Sequence, residues 1–99
     1  MANSEGPVFL AGEKTVATAG TAESLVSTSQ RVKSLVIIAK KANLNQVYLG
    51  GADVASTTND GLDAAETITI EAVGWLDLAD IYLDVDTNGE GIDFYAVKA

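Results

Sequence analysis

The chain has 99 residues, no Cys, no His and a net charge of −8. That length builds one domain around one modest core, and the 47% apolar content is enough to fill it. The missing Cys and His exclude disulfides, thiolate chemistry, Cys-ligated zinc and the usual general base, so no enzyme and no cofactor is expected.

Met1 to Gly12 reads as a flexible N-terminal arm, small and polar as far as Gly6. Within it Val8, Phe9 and Leu10 form a short apolar patch, fit for a first strand or for packing on a neighbour. The folded domain is expected over residues 13–99. Thr15 to Ala19 and Glu23 to Ser27 read as weak strands around Gly20, since their Ser and Thr content disfavours a helix. Val32 to Ala39 is the strongest apolar run and suits a central strand covered on both faces. Lys40 to Asn45 is a polar turn, and Gln46 to Leu49 a short strand ended by Gly50-Gly51. Asp53 to Ala55 reads as a brief strand, and Ser56 to Gly61 as a loop.

Glu66 to Val73 alternates cleanly, with Thr67, Thr69 and Glu71 on one side and Ile68, Ile70 and Ala72 on the other. Gly74 is expected to break that strand, and Trp75 to plug the core from a loop or helical turn ending at Ala79. Asp80 to Asp86 alternates again, with Ile81, Leu83 and Val85 inward and Tyr82, Asp84 and Asp86 outward. Thr87 to Gly91 reads as a hairpin-type loop before a last strand, Ile92 to Lys98. Short strands at this spacing indicate a β-sandwich or small barrel.

Charge is lopsided along the chain. Residues 1–50 carry five bases against three acids, whereas residues 51–99 carry one base against eleven acids. An acidic balance argues against a nucleic-acid partner, which needs concentrated positive charge. No apolar run reaches membrane-spanning length, and no signal peptide is visible, so no membrane partner is expected. The basic cluster Arg31, Lys33, Lys40 and Lys41 is a candidate docking patch for an acidic surface, including the acidic half of a second copy. The bland alternative is a set of solvated lysines guarding strand edges.

Asp84-x-Asp86-x-Asn88-Gly89 matches the first half of an EF-hand-type calcium loop. Its twelfth position, however, is Tyr95 rather than Glu, and strands flank it rather than helices, so a hairpin with an acidic outer face is expected and no metal. Asp60, Asp63 and Glu66 include carboxylates of the kind that hydrolyse glycosides, but they lie on a loop with no aromatic platform nearby and read as solvated acids. Gly50-Gly51 lacks the lysine of a phosphate loop, and Ser24, Ser27, Ser29 and Ser34 lack a base.

Taken whole, the chain resembles small decoration (cement) proteins of tailed-bacteriophage capsids and related virion β modules. The segments that carry the likeness are Thr15 to Ser29, Val32 to Ala39, Gln46 to Val54, Asp60 to Ile70, and Asp80 to Val85 with Ile92 to Val97. The resemblance implies an all-β, single-domain, jelly-roll-like β-sandwich of about eight short strands. It also implies a non-catalytic virion protein, made in the host cytoplasm, that binds the outer capsid surface and stabilises it. Its partner would be the major capsid protein and its assembly a homotrimer. The expected partner interface comprises Val8, Phe9, Leu10, Arg31, Lys33, Lys40 and Lys41. The alternative is a tail- or fibre-associated module binding a host receptor or glycan, which calls for exposed aromatics. A calcium-dependent carbohydrate-binding module and a carboxylate-only enzyme are more distant alternatives.

Overall fold

Nine consecutive residues from Arg31 to Ala39 rich in Val, Leu and Ile have a strong β preference, and they form β3 at the centre of the larger sheet. A computed structural model describes residues 9–57 and 59–99. Around β3 (Arg31–Ala39) lie β1 (Phe9–Thr15), β2 (Glu23–Ser24), β4 (Val47–Gly50), β5 (Thr67–Asp77), β6 (Tyr82–Val85) and β7 (Gly91–Lys98). A 3-10 turn, Leu78–Asp80, follows β5 and is capped by the Asp77 carboxylate, which accepts from the Ala79 N–H.

The strands form two antiparallel sheets, ordered β1-β7-β3-β5 and β2-β6-β4. The pairs β1·β7, β2·β6 and β3·β5 are nested, and inside them Val47 of β4 bridges Leu62. The chain is thus one long antiparallel ribbon that turns back on itself between residues 50 and 62, then rolls up so that β7 also joins β3 and β6 also joins β4. This is the winding of a jelly-roll sandwich in which the eighth strand has shrunk to the single bridge at Leu62. Among the described residues, seven strands therefore stand where about eight are expected.

The core is the space between the sheets. Leu35, Ile37 and Ala39 of β3 and Ile92, Phe94 and Ala96 of β7 face Val47, Leu83 and Val85 of the smaller sheet. Leu35, Ile37, Leu83 and Ile92 are at most 1% exposed, and each contributes about 1.5–3 kcal/mol by leaving water. At the β1 edge, Lys14 reaches across to Glu23 of β2 at 2.9 Å and closes the open side of the sandwich with an ion pair.

Several expectations are corrected. Phe9 to Gly12 is not an arm: it is strand, paired residue for residue with Val97 to Phe94, while Met1 to Val8 lie outside the described residues. The segments 16–19 and 53–55 are turns, bends and irregular backbone rather than strands. Gly74 does not end its strand, because it takes φ +94° within β5, and the chain resumes pairing with β3 at Leu76. The loop 87–91 is not a hairpin, because β6 and β7 belong to different sheets and the loop carries the chain from one to the other. Asp84 does not face solvent. It is 1% exposed, beneath the 17–21 loop, where its carboxylate accepts from the Gly20 and Val85 N–H groups.

Candidate docking face

Period two places a second set of side chains on the outer face of the larger sheet. Phe9 and Ala11 of β1 stand opposite Val97 and Tyr95 of β7, which in turn stand beside Ser34 and Val36 of β3. Thr69 and Glu71 of β5 complete those rows. Phe9 and Tyr95, diagonal neighbours across the β1·β7 pair, stack with ring centroids 6.1 Å apart and planes 18° from parallel. Both are largely exposed, at 56% and 42%. A solvent-facing sheet surface is ordinarily polar, so this one is apolar without any need of the core.

At one end of the face the β3·β5 ladder opens. Val32 pairs with Leu76 and Ser34 with Glu71, so Ala72 to Trp75 loop out against the single residue Lys33. Val73 at the tip is fully exposed and Trp75 is 50% exposed. Trp75 is therefore no core plug. Its ring lies under the Arg31 guanidinium at 4.0 Å from the centroid, a cation–π contact that holds the bulge against β3. Lys33 and Lys98 sit at this same end, Lys98 paired with Val32. The face thus ends in an apolar tip at the end that also carries Arg31, Lys33 and Lys98, with Glu71 and Asp77 on either side of the bulge.

The opposite end is closed by charge. The Lys40 ammonium bridges Glu13 at 2.7 Å and Asp93 at 2.8 Å, and those two carboxylates hold its pKa above the ordinary lysine value. Lys41 is exposed in the adjoining turn.

The expected interface residues are consequently divided. Phe9 lies on the outer face; Leu10 packs against the core; Val8 lies outside the described residues. Arg31 stands about 30 Å and Lys33 about 23 Å from Lys40 along the strand direction, given about 3.3 Å per residue, so the four bases do not form one patch. Tyr95, Trp75 and Val73 join the face without having been singled out for it. Tyr95 was open to discovery through its alternation with the inward Phe94, whereas Val73 and Trp75 depend on the bulge.

The calcium-like loop has other work. Asp84 accepts from Gly20, Asn88 Oδ1 from the Ala19 N–H at 2.7 Å, and Asp86 from the Tyr48 hydroxyl at 2.7 Å. Glu90 accepts from the Leu44 and Asn45 N–H groups, and Thr87 Oγ1 from the Asn45 amide. These oxygens clamp neighbouring loops together. Hydrogen bonding to Asp86, with burial, pushes the Tyr48 phenol up to about 12. Asp63 accepts from the Gln46 amide at 3.0 Å, and Glu66 accepts from the Asp63 N–H, so these two acids are tied to neighbouring groups. Among the described residues no group of three or more acids is placed to hold a metal, and no concave pocket is found.

Comparison with protein-family models, curated proteins and solved structures returns no match.

Proposed function

We propose that this chain is a non-catalytic structural protein of a virion, which binds the outer surface of a phage capsid and stabilises it. The carrying observation is the exposed apolar and aromatic outer face around Phe9 and Tyr95, continued by the exposed Val73 and by Trp75 beneath Arg31. Such a face loses free energy when covered by a partner, with aromatic and Arg side chains as the anchors that matter most. The cations Arg31, Lys33 and Lys98 suit an acidic rim on the major capsid protein. A sandwich of short, tightly hydrogen-bonded strands keeps the face rigid, so little conformational freedom is lost on docking.

The test is co-purification with intact particles, followed by particle imaging. Bound copies with the Phe9–Tyr95 face against the capsid support the reading, as does a large fall in occupancy for the double variant F9S/Y95S. Absence of the chain from particles overturns it.

The exposure of Trp75 favours a second reading, a tail- or fibre-associated module that binds a host receptor or glycan. Arg31 already covers one face of that ring. Titration with oligosaccharides separates the two readings, since glycan binding abolished by Trp75→Ala supports only the second.

A further inference from the structure

The larger sheet ends at β5, and among the described residues nothing pairs with the outer edge of the first half of that strand. The other edges carry charge, are very short or are bridged for at least part of their length. β1 carries Gly12, Glu13 and Lys14; β2 is two residues long; β4 is bridged by Leu62. Thr67-Ile-Thr-Ile70 has no charge, no Pro and no bulge, all four residues are β-branched, and three of them are exposed.

The phase of its backbone is fixed by the β3·β5 ladder. The Ala39 N–H donates to the Glu66 carbonyl at 2.9 Å, and partners then run Ile38 with Thr67 through Ser34 with Glu71. Hydrogen-bonded pairs alternate with non-hydrogen-bonded ones, so Ile68 and Ile70 spend their backbone groups on Ile37 and Leu35. The N–H and C=O groups of Thr67, Thr69 and Glu71 point away from β3, into the open edge.

We propose that this edge pairs antiparallel with the same edge of a second copy, Thr69 opposite Thr69, to form a two-fold dimer with one continuous eight-stranded sheet. The segment is self-complementary in that register. Thr67 meets Glu71, Ile68 meets Ile70, and every outward backbone group finds an outward partner. No two acids face each other, because Glu66 and the partner's Glu71 lie on opposite sides of the sheet. Ile68, 38% exposed at the rim of the core, is covered by Ile70 of the partner subunit. Two-fold symmetry uses one patch twice and closes the assembly at two copies, which protects against open-ended strand addition. The proposal stands apart from the capsid reading, since it concerns the chain alone in solution.

The experiment is sedimentation of the full chain over a range of concentrations, with amide hydrogen exchange. We expect a reversible dimer of twice 10.2 kDa, dissociating at about 10–100 μM, as suits a small edge interface. Thr67, Thr69 and Glu71 amides should exchange more slowly as concentration rises. Thr69→Pro removes an outward N–H and nothing from the β3·β5 ladder; Thr69→Lys sets like charges face to face at the two-fold axis. Each should weaken the dimer at least tenfold, and T69K, at an exposed position, keeps the test open if T69P fails to fold. A chain still monomeric at ~1 mM overturns the proposal. So does any assembly, including a trimer, that both variants leave intact, or amide protection that does not change with concentration.

Discussion

A Cβ built on Gly91 would stand 1.9 Å from the Lys14 carbonyl oxygen and 2.7 Å from the Thr15 Cα, both backbone atoms of the neighbouring strand. The same residue's carbonyl accepts from the buried Asn43 amide at 2.9 Å, and its N–H donates back to the Asn43 oxygen. Gly91 is thus where the loop from the smaller sheet enters β7 with no room for a side chain. Gly91→Ala should cost about 3 kcal/mol or more, because backbone rather than a flexible side chain must move. Thermal unfolding measures it, and a loss below about 1 kcal/mol would contradict the close approach. Asp84 teaches a related lesson. Its alternation with Leu83 and Val85 is plain in the sequence, yet its burial comes from the 17–21 loop, whose Gly20 N–H it accepts from sixty-four residues away. Nothing local to Asp84 announces that donor.

At the scale of elements, β5 departs most from its sequence pattern. Thr67 to Ile70 alternates and pairs as expected; past Glu71 the pairing skips to Leu76. The skipped residues bulge outward because Gly74 adopts φ +94°, a conformation that glycine takes without a Cβ penalty. Gly74→Val should therefore destabilise by about 1–2 kcal/mol, although a Cβ there meets no neighbouring atom. Val73→Ser, at a fully exposed tip, should change stability by no more than about 0.5 kcal/mol. Denaturant unfolding of the two variants checks the contrast, and equal effects would rule out backbone conformation as the reason for Gly74. V73S should still reduce particle occupancy if the tip is part of the docking face.

The whole molecule answers to pH at both ends. The Lys14 ammonium holds the Glu23 carboxyl below its ordinary value, and the Ser29 hydroxyl, with the Ala79 and Gln30 N–H groups, does the same for Asp77. A depressed carboxyl stabilises the fold fully above its unfolded value and loses that contribution as pH falls through the folded one. Tyr48 works in the opposite sense. With its pKa raised from 10.0 to about 12, its contribution is complete below pH 10 and is lost as pH climbs from there toward 12. Lys40, raised by Asp93 and Glu13, also loses its contribution on the alkaline side. Stability should form a plateau across neutral pH with falls below about pH 4 and above about pH 10. Unfolding scans across pH measure this, and Tyr48→Phe should remove the phenol that titrates near 12 in an ultraviolet titration. Ionisation of the Tyr48 phenol at its ordinary value in the wild type would contradict the Asp86 bond.

The roll-up also reshapes the charge pattern. A mildly basic first half and a strongly acidic second half suggest two poles, but nested pairing sets early strands beside late ones. Lys40 meets Asp93, and Arg31 stands opposite Asp77 within one molecule. Much of the complementarity that a second copy would satisfy is therefore met inside the chain.

By itself the sequence determined the all-β class, the single core and the runs Val32–Ala39, Thr67–Ile70 and Ile92–Val97, because period-two alternation and β-branched content act over a few residues. Tertiary structure alone decided which sheet each strand joins, that the 87–91 loop crosses between sheets, and that Trp75 faces solvent beneath Arg31 while Asp84 is buried. Those outcomes rest on partners dozens of residues distant, and no local pattern encodes a contact whose other half lies on a different strand.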